Sequence, residues 1–409
     1  MNIINKPLTI IKEYKIARIA TILLIFLYSS STSFAQGTNV NKSSSAYEGM
    51  HFFVGFMQNE IYRVDGGIVL QIYITSRYPG KVNLNYSGYL IQNYDVVPKQ
   101  VLRIDVPEWM EVRTSEALMR RTVEIKANVP IVVYTFNSQQ TTSDGYTAIP
   151  VSQWGKQFVT ITQPNDQYKN YIDTPDGADP QDSMSRSGEF MIMAAYDSTL
   201  VNYKPTAFTW KGSPPNVIQS LMMNKGDCYL VKSYPSERGT GDISGTIINS
   251  SKPVGVISGH VRTAIPQNPY PNNDKNHLCE MLPPTDAWGK EFISVPYGTN
   301  DDGDWFKVAA IEPNTFVYYT NPWGTQMIAL ANSGDVASVY DVPYATKWSS
   351  NKPVQIGQFM MHKFNRPDLT RAFDPNFVIL PPIENFVKYC LFQTCGNPPQ
   401  NPLQFDQQH

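Results

Sequence analysis

The stretch Pro284-Thr-Asp-Ala-Trp288-Gly289-Lys-Glu-Phe292 occurs more than once, and that repetition constrains the fold more than any other feature of the chain. An earlier copy reads Pro150-Val-Ser-Gln-Trp154-Gly155-Lys-Gln-Phe158, and a weaker one reads Pro382-Ile-Glu-Asn-Phe386-Val-Lys-Tyr-Cys390. A proline-led apolar segment precedes each copy, at Pro130, Pro253 and Pro353. After the first two copies comes a two-strand pattern, 191–203 and 306–318, and 70–86 has the same layout. Self-similarity on this scale marks repeated supersecondary units. The mature chain is therefore expected to hold three β units, 46–150, 151–284 and 285–382, with a partial fourth unit and tail at 383–409. A lone strand at 386–392 could pair back onto an open edge.

Between the copies, short alternating or β-branched runs such as Ile68–Thr75 and Phe316–Tyr319 are separated by Gly, Pro, Asn and Asp clusters. This is the signature of antiparallel strands, and helices should be single turns. The fold expected is all-β: three tandem antiparallel sandwich-like units, arranged with pseudo-symmetry as one option, plus a partial fourth strand element. A string of units and a closed ring are both open.

A catalytic constellation is usually unique in a chain, so a motif copied once per unit points to turn and packing. Ser152, Asp286 and Glu384 stand where a short turn can be capped. Gly155 and Gly289 release the chain into the next strand, and Trp154, Trp288 and Phe386 read as anchors buried at the joints. A recognition surface is the other reading of the same residues.

At the N-terminus, Lys6, Lys12, Lys15 and Arg18 precede the apolar run Ile19–Tyr28, and Ser33-Phe-Ala35 follows. This order predicts a secretory signal over 1–35, cleaved near Ala35, with 36–45 as a linker; an uncleaved anchor is the alternative. No later stretch is apolar enough for a membrane helix. Export would place the chain outside the cytoplasm, secreted or at the cell envelope, where disulfides persist. Cys228 with Cys279 and Cys390 with Cys395 is the favoured pairing of three, against four free thiols. The 33 basic and 35 acidic residues give a net charge of −2, which excludes the basic footprint of nucleic-acid binding.

No catalytic set assembles. Ser258-Gly-His260 has the atoms of a hydrolase but not the spacing of a nucleophile elbow. Asn300–Asp304 suits a calcium loop less well than a turn in which Gly303 supplies positive φ, and Asp144-Gly145 lies in another such turn. No cofactor or metal is expected. The conspicuous chemistry lies in two long insertions, Gln163–Gly188 and Arg262–Asn276, rich in Asn, Asp, Pro and Tyr. Long loops on a rigid scaffold commonly bind, and Tyr168, Tyr171, Tyr270 and Arg262 are the candidate contacts.

The segments GFMQN (55–59), LQIYITS (70–76), VPIVVYTFNSQQTTSDGYTAIPVSQWGKQF (129–158), KPVGVISGH (252–260), NHLCEMLPPTDAWGKEFISVP (276–296) and GDWFKVAA (303–310) together resemble the IgGFc-binding protein N-terminal domain family. The resemblance implies an exported, non-enzymatic binding module of β repeats, in a bacterial surface setting, with a protein or glycan partner. The sequence YGTNDD at 297–302 departs from it by lacking a basic residue, and immunoglobulin binding does not carry over with the resemblance. An exported glycoside hydrolase and a self-assembling surface component are the rival readings; oligomeric state is open.

Overall fold

A computed structural model describes residues 47–60, 67–139, 142–166, 186–267, 275–297, 303–361, 374–387 and 390–391. The signal and linker expected at 1–45, and Tyr168, Tyr171, Tyr270 and Cys395, lie outside the described residues. Among the described residues the regular elements are twenty-two strands and single 3-10 turns.

The first sheet contains β1 (Gly49–Val54), β2 (Val69–Thr75), β3 (Gly80–Tyr86), β4 (Ile91–Val96), β5 (Leu102–Val106), β7 (Val123–Gln139) and β8 (Thr142–Asp144). The short β6 (Leu118–Met119) leaves it to pair with the second sheet. That second sheet is formed by β9 (Gly155–Val159), β10 (Gly188–Ala194), β11 (Thr199–Lys204), β12 (Gln219–Met223), β13 (Cys228–Lys232), β14 (Ile247–Thr263) and β15 (Asn276–Met281). The third comprises β16 (Gly289–Ser294), β17 (Asp304–Ala310), β18 (Thr315–Asn321), β19 (Gly324–Leu330), β20 (Val336–Val342), β21 (Thr346–Met360) and β22 (Asn376–Ile379).

One plan is used three times. A long strand, β7, β14 or β21, carries two partners on its first half and two on its second. Between the halves the register slips, at Asn249/Val254 on β14 and Ser349/Val354 on β21. Pro130, Pro253 and Pro353 sit in this irregular stretch. A proline has no N–H for a ladder, so it is tolerated where a bulge breaks the pairing and turns the strand from one layer to the other. The prolines therefore mark the middle of each long strand, where the sequence suggested its start. In the second unit both halves contribute to one interior: Phe158, Phe190, Ile192, Val201, Tyr203, Ile248 and Val256 form a single buried cluster.

The repeated turns are η1 (Glu108–Met110), η2 (Val151–Gln153), η3 (Thr285–Ala287) and η4 (Ile383–Asn385), of which the last three follow Pro150, Pro284 and Pro382. None has a side-chain cap, so the capping role expected of Ser152, Asp286 and Glu384 does not occur. Three residues need only backbone i→i+3 bonds, and Glu384 instead accepts the Lys290 N–H at 2.8 Å. Gly49, Gly155 and Gly289 are where the repeat closes. A Cβ there would lie 2.4, 2.2 and 2.2 Å from the Cβ of Pro150, Pro284 and Pro382. Each unit is thus sealed by the proline of the next turn, which gives the third copy of the motif a task. None of the three glycines has positive φ; close approach, not turn geometry, requires them.

Trp154 and Trp288 are buried, and each indole N–H donates five residues back, to the carbonyls of Ile149 (2.9 Å) and Pro283 (3.2 Å). Phe386, without that donor, is 58% exposed. Residues 386–387 and 390–391 pair with no strand.

The cysteine expectation is corrected. Cys228 and Cys279 are free and buried, and Cys390 is free and exposed. Sheet order explains it: Cys228 on β13 and Cys279 on β15 are separated by β10 and β14. Three strand spacings amount to about 14 Å, twice the reach of a disulfide.

Candidate ligand-binding cleft

A cavity of about 200 Å³ opens between the second and third sheets. Its aromatic wall comes from a bulge. Asp304 pairs with Val342 and Phe306 with Val339, so Tyr340 and Asp341 together face the single residue Trp305. Asp341 takes φ +56°, a left-handed backbone unusual outside glycine. Bulges re-aim side chains. Here the Trp305 and Tyr340 rings meet edge to face at 4.4 Å, and the indole N–H donates to Asp341 Oδ1 at 3.0 Å. Phe306, one residue on, points to the opposite side and packs in the third sheet's own core.

The polar wall comes mainly from the second unit. Gln163 and Gln267, at the feet of the two long insertions, line the cavity with Asp242 and Lys307. Gln267 Nε2 donates to Pro164 O at 2.6 Å and Thr263 Oγ1 at 3.1 Å, which fixes its amide. Lys307 is buried and donates to Thr162 O (2.7 Å), Asp242 Oδ2 (2.5 Å) and Ser244 Oγ (3.1 Å). Burial alone would push the Asp242 carboxyl up, but Lys307 beside it outweighs that and holds it below its usual range. The two sheets are thereby pinned at the cleft by an ion pair with every donor used.

The described ends of the insertions hold a buried charged cluster. Arg186 Nε is 2.5 Å from Glu60 Oε2, and Arg262 Nη1 is 3.5 Å from the same oxygen. Asp166 is paired with Arg238 at 2.8 Å and Lys275 at 3.5 Å, and Asp166 Oδ2 accepts the Ala264 N–H. Desolvation opposes ionisation of Asp166, yet Lys275 and Arg238 keep its pKa low. Asp166 and Arg186 flank one insertion, Arg262 and Lys275 the other. The cluster therefore clamps the loops' feet, and Arg262 is directed into that clamp, also donating to Lys275 O at 3.2 Å.

The histidines serve the same end. His260 receives the Arg262 N–H on Nδ1 and faces Pro164 O with Nε2, which makes it a neutral Nε2–H tautomer. His277 directs Nδ1 at the carbonyls of His260 and Val261. Burial lowers both to about 4. Ser258 donates to Ile161 O, away from His260, so no nucleophile–base pair forms.

In the other singled-out loop, Gly303 has φ +93° as its turn requires, and Asp304 Oδ2 accepts from Tyr297 N–H and Gln358 Nε2. Gly145 differs from expectation: its φ is not positive, and its place is explained by Thr135 O, 2.0 Å from where a Cβ would stand. Among the described residues no three His, Cys, Asp or Glu side chains are placed to hold a metal ion, and no helix is long and apolar enough to cross a membrane.

A family model described as IgGFc binding protein matches residues 144–404. The chain belongs to the IgGFc-binding protein family. The matched region contains every residue of the cleft wall. The human protein named IgGFc-binding protein is 22% identical to this chain over 346 residues. That alignment covers 83% of this chain and 6% of the human protein, so the chain spans a small fraction of that relative's length. The family is one of binding proteins, and the all-β architecture of three sheets is the frame in which this member holds its cleft.

Trp305, Tyr340, Asp242, Gln267 and Lys307 were not singled out by the sequence. Trp305 and Lys307 fall in a segment that contributed to the family resemblance, but the cleft needs residues from positions 163 to 340, and no local pattern joins them.

Proposed function

We propose that this chain is an exported, non-enzymatic binding module that takes a sugar ring, free or carried on a protein, in the cleft between its second and third sheets. The observation that carries the reading is the Trp305–Tyr340 pair raised on a bulge beside Gln163, Gln267 and Asp242. A sugar presents a flat C–H face and a rim of hydroxyls. An aromatic wall suits the first, and fixed amide and carboxylate groups suit the second. Gln163 and Gln267 belong to the two insertions, so Tyr168, Tyr171 and Tyr270 of the same segments are the further contacts to test by substitution. The leader at 1–35 carries the module out of the cytoplasm. The relative's name makes immunoglobulin, a glycoprotein, one ligand to test.

A hydrolase reading requires two carboxylates facing each other at roughly 5–10 Å. Among the described lining residues Asp242 is the one carboxylate, and it is ion-paired with Lys307.

Titration of the full chain with mono- and oligosaccharides, mucin and immunoglobulin, followed by calorimetry and tryptophan fluorescence, tests the reading. At least one glycan-bearing ligand should bind saturably, and W305A should weaken it about tenfold or more, equivalent to ~1.4 kcal/mol. Equal binding by wild type and W305A, or no binding at all, overturns it.

A further inference from the structure

Glu189 is the one described carboxylate whose two oxygens are both buried and without a hydrogen-bond partner. Such a group in a folded protein requires an explanation. Glu189 lies on β10 directly across from Lys232 on β13, so their Cβ atoms stand about 5 Å apart. Lys232 is itself buried, its Nζ 4.0 Å from the Trp210 ring centroid and 2.8 Å from Gln58 Oε1. Gln58 is also buried and belongs to the segment leaving β1 of the first sheet. An amine and a carboxamide thus meet in a buried site between two sheets, and the strand register places a carboxyl-bearing residue beside the amine, its oxygens outside hydrogen-bond distance of any partner.

We propose that Lys232 and Gln58 form an intramolecular isopeptide cross-link, with Glu189 moving the proton. Lys232 Nζ attacks Gln58 Cδ, the carbon bonded to the oxygen that already receives its hydrogen bond. The Nζ–Cδ bond forms and the Cδ–Nε2 bond breaks. A proton leaves Nζ for the Glu189 carboxyl system and reaches Nε2, which departs as ammonia. No oxidant or cofactor enters the balance.

The environment favours each role. Desolvation lowers the Lys232 pKa toward the neutral, nucleophilic amine, against the opposing pull of Glu189. Burial raises Glu189 well above the ordinary carboxyl range, so the acid retains a proton to deliver; Lys232 opposes this and Glu111 reinforces it. Glu111 is occupied elsewhere, accepting from Asn59 N–H, Asn137 Nδ2 and Arg113 Nε. Ser115 Oγ receives the Lys232 backbone N–H and leaves the amine alone. Reactants held in contact in this way gain the rate advantage of an intramolecular step. The product would tie the first sheet to the second covalently, at β13, the strand on which β6 also pairs.

The test is tryptic mapping of the full chain after incubation at neutral pH. The proposal expects a branched peptide that joins the Gln58 and Lys232 segments and is lighter than their sum by one ammonia, with cleavage after Lys232 lost. K232R should give linear peptides, and E189Q should stay folded by circular dichroism while forming the branch at least tenfold more slowly. A wild-type chain that is cleaved normally after Lys232, with Gln58 unmodified, overturns the proposal whether or not the variants fold. A branch that forms at the wild-type rate in E189Q overturns the role of Glu189.

Discussion

At Gly155 and Gly289 the backbone of a first strand lies against a proline ring that arrives more than a hundred or nearly a hundred residues later. Adding a methyl group forces that ring away, so G155A should destabilise the chain by about 1–3 kcal/mol, read from denaturant midpoints. D286A, at an uncapped and exposed turn, should stay within about 0.5 kcal/mol. A smaller effect at Gly155 than at Asp286 would remove the sealing role. Single residues also set the pH response. His260 and His277 titrate near 4 when folded and near 6.5 when unfolded. Below 6.5 the unfolded chain takes up protons that the folded chain refuses, and stability falls as pH drops toward 4, by roughly 3 kcal/mol per histidine. Asp144 has the opposite sign. Burial pushes it to about 8 despite hydrogen bonds from the Cys279 and Gly145 N–H groups, so its contribution is full below pH 4 and is lost as pH rises to 8. Glu280 stands close and is raised in the same direction. D144N mimics the protonated form, and its stability relative to wild type should climb between pH 6 and pH 8. Parallel curves for the two proteins would mean that Asp144 is ionised in the fold.

At the scale of the element, the tryptophan-bearing turns separate what was legible from what was not. The repeat Pro150–Phe158 and Pro284–Phe292 could be read because its contacts are local: backbone bonds of a three-residue turn and an indole reaching five residues back. Equally local is the difference between Trp288 and Phe386. W154F should lose the bond to Ile149 O and part of its packing against Phe53 and Gly255, at about 1–3 kcal/mol. F386A should cost well under 1 kcal/mol, because the ring is mostly exposed. Comparable losses in the two melts would contradict this. The long strands were read only in part. Pro253 looks like a strand start from the sequence because proline interrupts ladders, yet β14 continues through it by bulging. The Cys228–Cys279 expectation failed for a related reason: nearness in sequence says nothing about the two strands interposed between them.

For the molecule as a whole, the cores do not respect the repeat. Met191, Met193, Cys228, Leu230 and Ile257 of the second sheet are buried in the cluster of the first, and Val159, Ile161 and Leu278 are buried with Ala309, Phe359 and Phe377 of the third. That is why β10 is buried along its full length, although half of its side chains face away from its own sandwich. At one point all three units meet: Asn276 Oδ1 accepts from the Ser143 N–H at 2.7 Å, and its Nδ2 donates to Pro375 O at 3.1 Å. The repeated sequence suggests units that could stand alone, and the shared faces argue against it. A fragment of residues 151–284 would expose the five side chains named first, each worth about 2 kcal/mol when buried. The total, about 10 kcal/mol, equals the whole stability of an ordinary domain. The fragment should therefore lack fixed tertiary structure by near-ultraviolet circular dichroism, whereas the chain from residue 46 onward should unfold in one cooperative step. A fragment that melts cooperatively near the temperature of the full chain would show that the repeat, and not the shared core, is the folding unit.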